Sequence, residues 1–268
     1  MTNFYDLTAA NKKKGHSGIN QFTLSTYIVG KYRNILARFA WAKRSIVGKS
    51  RLNLYRSERV VIAGWEASGS TFLYQVANLL GLKVQKIHGT PDNNTDFTLF
   101  TFRDPRDVIS SHARRFFGEV WQLEGSETAL LTALEWFEET GHVQSLYESS
   151  GMPNVILIRY ENYFLKNEDV LIVMIADQFL IPLDDKKLAF ILNHTSIEVN
   201  MERSKRFDEF KKWDKDTFIH GIHISNKGLV GGWKKHFTPL VEQRVKESLG
   251  KILITLGYEQ DYNWTFKE

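Results

Sequence analysis

The segment GWEASGST, Gly64–Thr71, follows the apolar run RVVIA and precedes FLYQVANLLGL. A strand, a short Gly/Ser loop and a helix in that order offer unpaired backbone N–H groups and the positive end of a helix dipole to an anion. The spacing is that of the phosphate loop G-x-x-x-x-G-K-[ST], with Ser70 in the lysine's place. Gly69 lets the backbone approach a ligand closely, and Ser68, Ser70 and Thr71 add hydroxyl donors. A plain strand-to-helix turn built of small residues has the same composition.

Two further stretches carry chemistry. FRDPRDVISS brings Arg103 to a strand end, where its guanidinium can grip a phosphate bidentately, and Ser111 lies within reach of the same group. An Arg-Asp network capping a helix explains the DPRD part equally well. NKGLVGGWKKHF combines two glycines, two lysines and Trp233, as expected of either an anion-closing flap or a glycine-rich solvated loop.

Periodicity supplies the scaffold. Strands are expected at Arg59–Ala63, in KVQKIH, at Phe97–Phe102 and at Val155–Glu161. Helices are expected from about Ser70 to Leu80, from about Asp107, over Glu127–Ser149, in NEDVLIVMIADQFLI and DDKKLAFILNHT, and from Pro239 to Leu256. Strands alternating with helices predict an α/β domain with a central, mainly parallel sheet flanked by helices and a P-loop-like anion site. One domain is expected over 1–268: a polar lead-in over 1–18, an N-terminal helical segment over 19–57, and a lid or acceptor loop over 200–226 where no period is visible.

The chain has 268 residues, a formal charge of +4 and no cysteine, which excludes disulfides and thiolate metal sites. The basic excess suits an anionic ligand. Lys/Arg blocks no longer than Lys12–Lys14 argue against a nucleic-acid partner. No apolar run reaches a membrane span and no signal-peptide core is visible, so a cytoplasmic protein without integral membrane association is expected; oligomeric state is left open.

In order and spacing, the three blocks resemble the cytosolic-type sulfotransferases that use 3′-phosphoadenosine 5′-phosphosulfate (PAPS). WEASGSTFL lies over the family's Y-P-K-S-G-T-T-W-L. Arg103, Asp104, Pro105, Arg106, Asp107 and Ser111 match R-N/D-P-K/R-D-x-x-x-S. Lys227, Gly228, Gly231, Trp233, Lys234 and Phe237 match R-K-G-x-x-G-D-W-K-x-x-F. KIH, RYEN and TSIEV match lesser motifs, and the likeness runs from about Val60 to Phe237. A bacterial, small-molecule member of the family is expected, one that tailors natural products.

The resemblance implies roles. Ala67, Ser68, Gly69, Ser70 and Thr71 would hold the 5′-phosphosulfate, with Phe72 against adenine. Arg103 and Ser111, joined by Lys227 and Gly228, would bind the 3′-phosphate. Tyr160, Thr195 and Ile197 would border the adenine. PAPS would be the donor and adenosine 3′,5′-bisphosphate (PAP) the product, with no metal required. A sulfuryl donor needs no metal bridge to a γ-phosphate, so the loop lysine is dispensable at Ser70. His88 would act as general base toward a hydroxyl or amine of a small-molecule acceptor.

The pattern breaks at three positions. Ala67 stands where the family has a lysine at the leaving group, so either another cation substitutes, with Lys86, Lys227 and Arg106 as candidates, or turnover is weak. Asn226, where the family has arginine, thins the 3′-phosphate grip. Glu66 replaces a proline, and is expected either to face a cationic or hydrogen-bond-donating acceptor, or to point to solvent or pair with a nearby lysine. Two other classes stay open: a sulfotransferase-like nucleotide binder and a P-loop phosphotransferase, the latter disfavoured by Ser70 and by Arg103 in place of a strand-end aspartate. Phe116, Phe117, Trp121, Phe207, Phe210 and Trp213 line an acceptor pocket or simply pack.

Overall fold

Three apolar runs and the mixed stretch Lys83–Lys86 become the strands of one sheet. The computed structural model describes residues 59–91, 97–221, 224 and 227–267. The lead-in, the segment over 19–57, part of the expected acceptor loops and Asn226 lie outside the described residues. Strands β1 (Arg59–Gly64), β2 (Lys83–Lys86), β3 (Phe97–Phe102) and β4 (Val155–Arg159) lie in the order β2-β1-β3-β4. Every pairing is parallel, with Val60 beside both Val84 and Phe97 and Phe102 beside Arg159.

β1 and β3 are buried on both faces, which is why they read as continuous apolar runs rather than as alternating ones. One face packs Val60, Ile62 and Leu99 against α1 (Ser70–Leu79) and against two later helices that carry Leu171, Ile175 and Ile191. The other packs Ala63 and Phe100 against α2 (Pro105–Phe116) and against residues such as Leu130, Phe137 and Val245.

Several boundaries differ from the periodic reading, each for a local reason. α2 starts two residues before the expected Asp107, because the Asp104 carboxylate accepts the Arg106 N–H at 2.9 Å and Pro105 occupies the first turn. Gly118–Leu123 forms an unforeseen short helix, α3. The stretch expected as one helix over Glu127–Ser149 is two, α4 (Ser126–Glu139) and α5 (His142–Ser150), broken at Gly141, whose φ of 68° only glycine adopts readily. β4 ends at Arg159, and its last two expected residues begin a helical turn, α6 (Tyr160–Tyr163).

α7 (Glu168–Gln178) and α8 (Asp185–Thr195) follow as expected. The region read as structureless from Asn200 begins inside α9 (Ile197–Ser204), which the Ser196 hydroxyl caps by accepting the Val199 N–H. Irregular chain continues to Gly221, cross-linked by a bridge between Trp213 and His220. A 3-10 turn at Gly232–Lys235 precedes α10 (Pro239–Thr255). Among the described residues, no helix is long and apolar enough to cross a membrane.

Candidate active site

All four strand ends point to one place. In an open parallel sheet the ligand crevice lies outside the carboxyl ends of the strands, at the point where the chain switches direction across the sheet. Here the chain steps from β1 to β2 on one side and returns to β3 on the other. A cavity of about 770 Å³ opens there. The loop after β1, His88 after β2, Arg103 after β3 and Tyr160 after β4 all line it.

The loop after β1 is held from below. Trp65 N–H donates to the Thr101 carbonyl at 3.0 Å, and the Trp65 indole donates to the His142 carbonyl at 2.6 Å. Ser68 is fully buried, its hydroxyl 2.5 Å from the Trp65 carbonyl and 2.6 Å from the Thr101 hydroxyl. Its side chain therefore anchors the loop to β3 and does not line the cavity. Gly69 has φ 94°, and a Cβ there would lie 2.3 Å from the Phe164 ring, so no other residue fits. Ala67 turns left-handed at φ 55°, and its carbonyl accepts from Arg103 Nη1 at 3.3 Å.

Glu66, Ala67, Gly69, Ser70, Thr71, Phe72, His88, Arg103, Ser111, Tyr160, Thr195, Ile197 and Gly228 are thus brought together around the cavity. Of the residues expected there, Ser68 is buried beneath it, and Lys227 is exposed and does not line it. Phe72 stands edge-on to Phe164, with ring centroids 5.3 Å apart. Phe116, Phe210 and Trp213 line the cavity, whereas Phe117 and Trp121 pack on the hydrophobic core and Phe207 stays outside.

The three candidates for the missing cation separate cleanly. Arg106 is buried away from the cavity, stacked on Trp233 and Trp264 at 4.1 and 4.7 Å and paired with Asp104 and Glu259. Lys227 is exposed. Lys86 lines the cavity, and its ammonium donates to the Thr71 hydroxyl at 2.7 Å. Burial, then Arg115, pulls Lys86 down to about 8, while Glu66 opposes them.

His88 is positioned by its neighbours. Ile87 N–H donates to the Ile62 carbonyl at 3.0 Å, and Gly89 bridges to Gly64, so the residue between them sits at the β1 end. Burial alone would raise the Glu66 carboxyl, but His112 outweighs it, helped by His142 and His88, and the group lies below its usual range. His112 Nδ1 stands 3.4 Å from Glu66 Oε2, with its ring stacked on Trp136. Burial also takes Arg115 down to about 10, again opposed by Glu66. Glu66 is therefore an acid set among basic groups, with His112 beside it.

Arg103 is the best-anchored side chain of the site. Its Nη2 donates to Asp107 Oδ2 at 3.2 Å, to the Gly228 carbonyl at 3.5 Å and to the Leu229 carbonyl. Its guanidinium carbon lies 4.3 Å from the Tyr160 ring centre, and the Tyr160 hydroxyl donates to the Gly228 carbonyl at 2.9 Å. A Cβ on Gly228 would strike that hydroxyl at 2.4 Å. Sequence reasoning assigned no role to Asp107, Phe164 or His112. Only Asp107 carried a signal, as part of the RDPRD block.

The sequence model of the sulfotransferase domain matches residues 98–256. Sulfotransferase 2A1 of Rattus norvegicus is 28% identical over 148 residues, 52% of this chain and 50% of that protein. Sulfotransferase 6B1 of Danio rerio is 25% identical over 174 residues, 60% of this chain and 55% of that protein. The chain thus spans about half the length of the curated relatives it matches. Two solved structures share the fold: mouse sulfotransferase SULT7A1 complexed with PAP (TM-score 0.52, 17% identity, 74% of this chain and 84% of that one) and retinol dehydratase in a complex with retinol and PAP (TM-score 0.52, 19% identity, 74% and 82%). With more than half of its length matched by that model, and with its four strand ends converging on one cavity, the chain belongs to the sulfotransferase domain family.

Proposed function

We propose that the protein transfers the sulfuryl group of PAPS to a hydroxyl or amine of a small molecule. The observation that carries this reading is the convergence of the β1 loop, Arg103 and Gly228 on one cavity. The residues present fit the donor. Arg103 lines the cavity, and its buried Nε has no hydrogen-bond partner among the described residues. When bound, PAPS would supply the sulfuryl group and leave as PAP.

The chain's own residues then divide the work. The backbone N–H groups of Gly69–Thr71 and the Ser70 hydroxyl would hold the 5′ end at the start of α1. Arg103 and Ser111 would hold the 3′-phosphate, with Phe72, Tyr160, Thr195 and Ile197 around the base. Lys86 takes over the charge that Ala67 cannot supply, from a neighbouring strand. His88, across the cavity, would accept the acceptor's proton. Glu66 already balances Lys86 and Arg115, so its presence does not require a cationic acceptor. The acceptor side is bounded by Phe116, Phe210, Trp213 and His220.

Calorimetry without magnesium tests the donor. Tight PAP binding that exceeds ADP binding and collapses in Arg103→Ala is expected. Equal or better ADP binding that needs magnesium would overturn the reading in favour of a phosphotransferase.

A further inference from the structure

We propose that Asp107 is the positioning residue that makes the cavity select a 3′-phosphate, by locking Arg103 to the flap; this rests on the donor assignment above. The carboxylate joins two distant parts of the chain. Oδ2 accepts from Arg103 Nη2 at 3.2 Å and from the Gly231 N–H at 2.8 Å, while Oδ1 accepts from the Trp233 N–H at 3.1 Å. Its side chain is 3% exposed. Burial pushes the Asp107 carboxyl up and Asp104 adds to this, while Arg103 and the N–H groups of Gly231 and Trp233 oppose it, so these three donors are what offsets its lost hydration.

Capping α2 does not explain it. Asp104 already fills that role through the Arg106 N–H, and Asp107 turns its oxygens away from its own helix toward the flap. The flap is then fixed at both ends of Gly228–Trp233. Arg103 and the Tyr160 hydroxyl hold the carbonyls of Gly228 and Leu229, and Asp107 holds the N–H groups of Gly231 and Trp233. Arg103 is thereby oriented by its neighbours before any ligand contact, so its grip on a phosphate costs little further ordering.

Asp107→Asn tests this while keeping the side chain's shape. An amide has one oxygen to offer three donors, and its NH₂ group faces N–H groups. PAP affinity measured by calorimetry is expected to fall about 10–100-fold. Affinity for adenosine 5′-phosphate, which lacks the 3′-phosphate, is expected to change about twofold or less, so the preference for PAP collapses. A merely structural Asp107 would lower both affinities together, and that result would overturn the inference. Should the Asn variant not fold, Asp107→Glu, with its carboxylate one methylene out of place, is expected to show a smaller loss that again falls on PAP and not on adenosine 5′-phosphate. An unchanged preference in Asp107→Glu would sink the inference. If the wild-type protein prefers PAP and either variant keeps that preference, the inference fails while the donor assignment stands. If the wild-type protein shows no preference, both fail.

Discussion

Lys86→Met, compared with Lys86→Arg across pH, tests whether the missing loop lysine has been replaced. Lys86 lines the cavity and bonds to the first turn of α1, through Thr71 at 2.7 Å. Losing a preorganised electrostatic contact to a developing charge commonly costs about 10²–10³ in kcat, and Lys86→Met is expected to fall in that range. The pH dependence follows from burial. With Lys86 at about 8, the ammonium is about nine-tenths protonated at pH 7 and about one-tenth at pH 9. The charged form is the useful one, so activity should be full below that value and drop about tenfold by pH 9. Arg115 pushes the value down and Glu66 holds it up. Glu66→Gln should therefore shift the alkaline loss to lower pH. Lys86→Arg keeps its charge and should remove that loss.

Stability separates the catalytic role from a structural one. The folded protein holds Lys86 below its ordinary 10.5, so folding bears a penalty at neutral pH. That penalty fades as pH rises from about 8 toward 10.5. Lys86→Met removes it and is expected to melt at or above the wild-type temperature. The assay is PAP release from PAPS with a panel of phenols, alcohols and amines, alongside thermal melts. Activity of Lys86→Met within about threefold of wild type would refute the reasoning. So would an alkaline loss unchanged in Lys86→Arg.

Two further outcomes follow from the same geometry. His88→Asn is expected to lose about 10²–10⁴ in kcat while PAP affinity by calorimetry stays within about twofold, because the role proposed for His88 is proton transfer from the acceptor rather than nucleotide binding; a parallel loss of PAP affinity would remove it from the proton-transfer role. Gly69→Ala places a methyl 2.3 Å from the Phe164 ring at φ 94°. It is expected to lower the melting temperature by roughly 5 °C or more and to abolish PAP binding, with Phe164→Leu in the same chain restoring part of the stability.

Most of the sheet was legible because β1, β3 and β4 are short apolar runs bounded by polar and charged residues. Phe97–Phe102 stands where the alternation of runs and loops puts it. Most of the cavity lining was legible too, since the loop, the arginine and the flap keep a recognisable spacing. The misses share one physical origin. Ser68 has the composition of a ligand-binding hydroxyl, but its contacts at Thr101 depend on how β1 and β3 pair. The break at Gly141 competes with an unbroken apolar period on either side. Asp107 bonds to the N–H groups of Gly231 and Trp233, and backbone donors leave no mark in the sequence.

The same contrast explains how the loop can function with alanine at position 67. A lysine placed there would leave the loop at a left-handed residue, φ 55°. Lys86 instead rises from β2, a strand pinned to β1 through Val60–Val84 and Ile62–Lys86. Its charge is thus positioned by sheet register rather than by loop conformation, with Thr71 as the contact between strand and α1. The cost of that arrangement is burial, seen in the lowered proton affinity of Lys86, and Glu66 is the residue that offsets it. Alanine at position 67, Glu66 and Lys86 then read as one coupled set. Restoring lysine at Ala67 alone should repel Lys86, whereas Ala67→Lys with Lys86→Met should recover activity that neither single variant has. An additive pair would break the coupling.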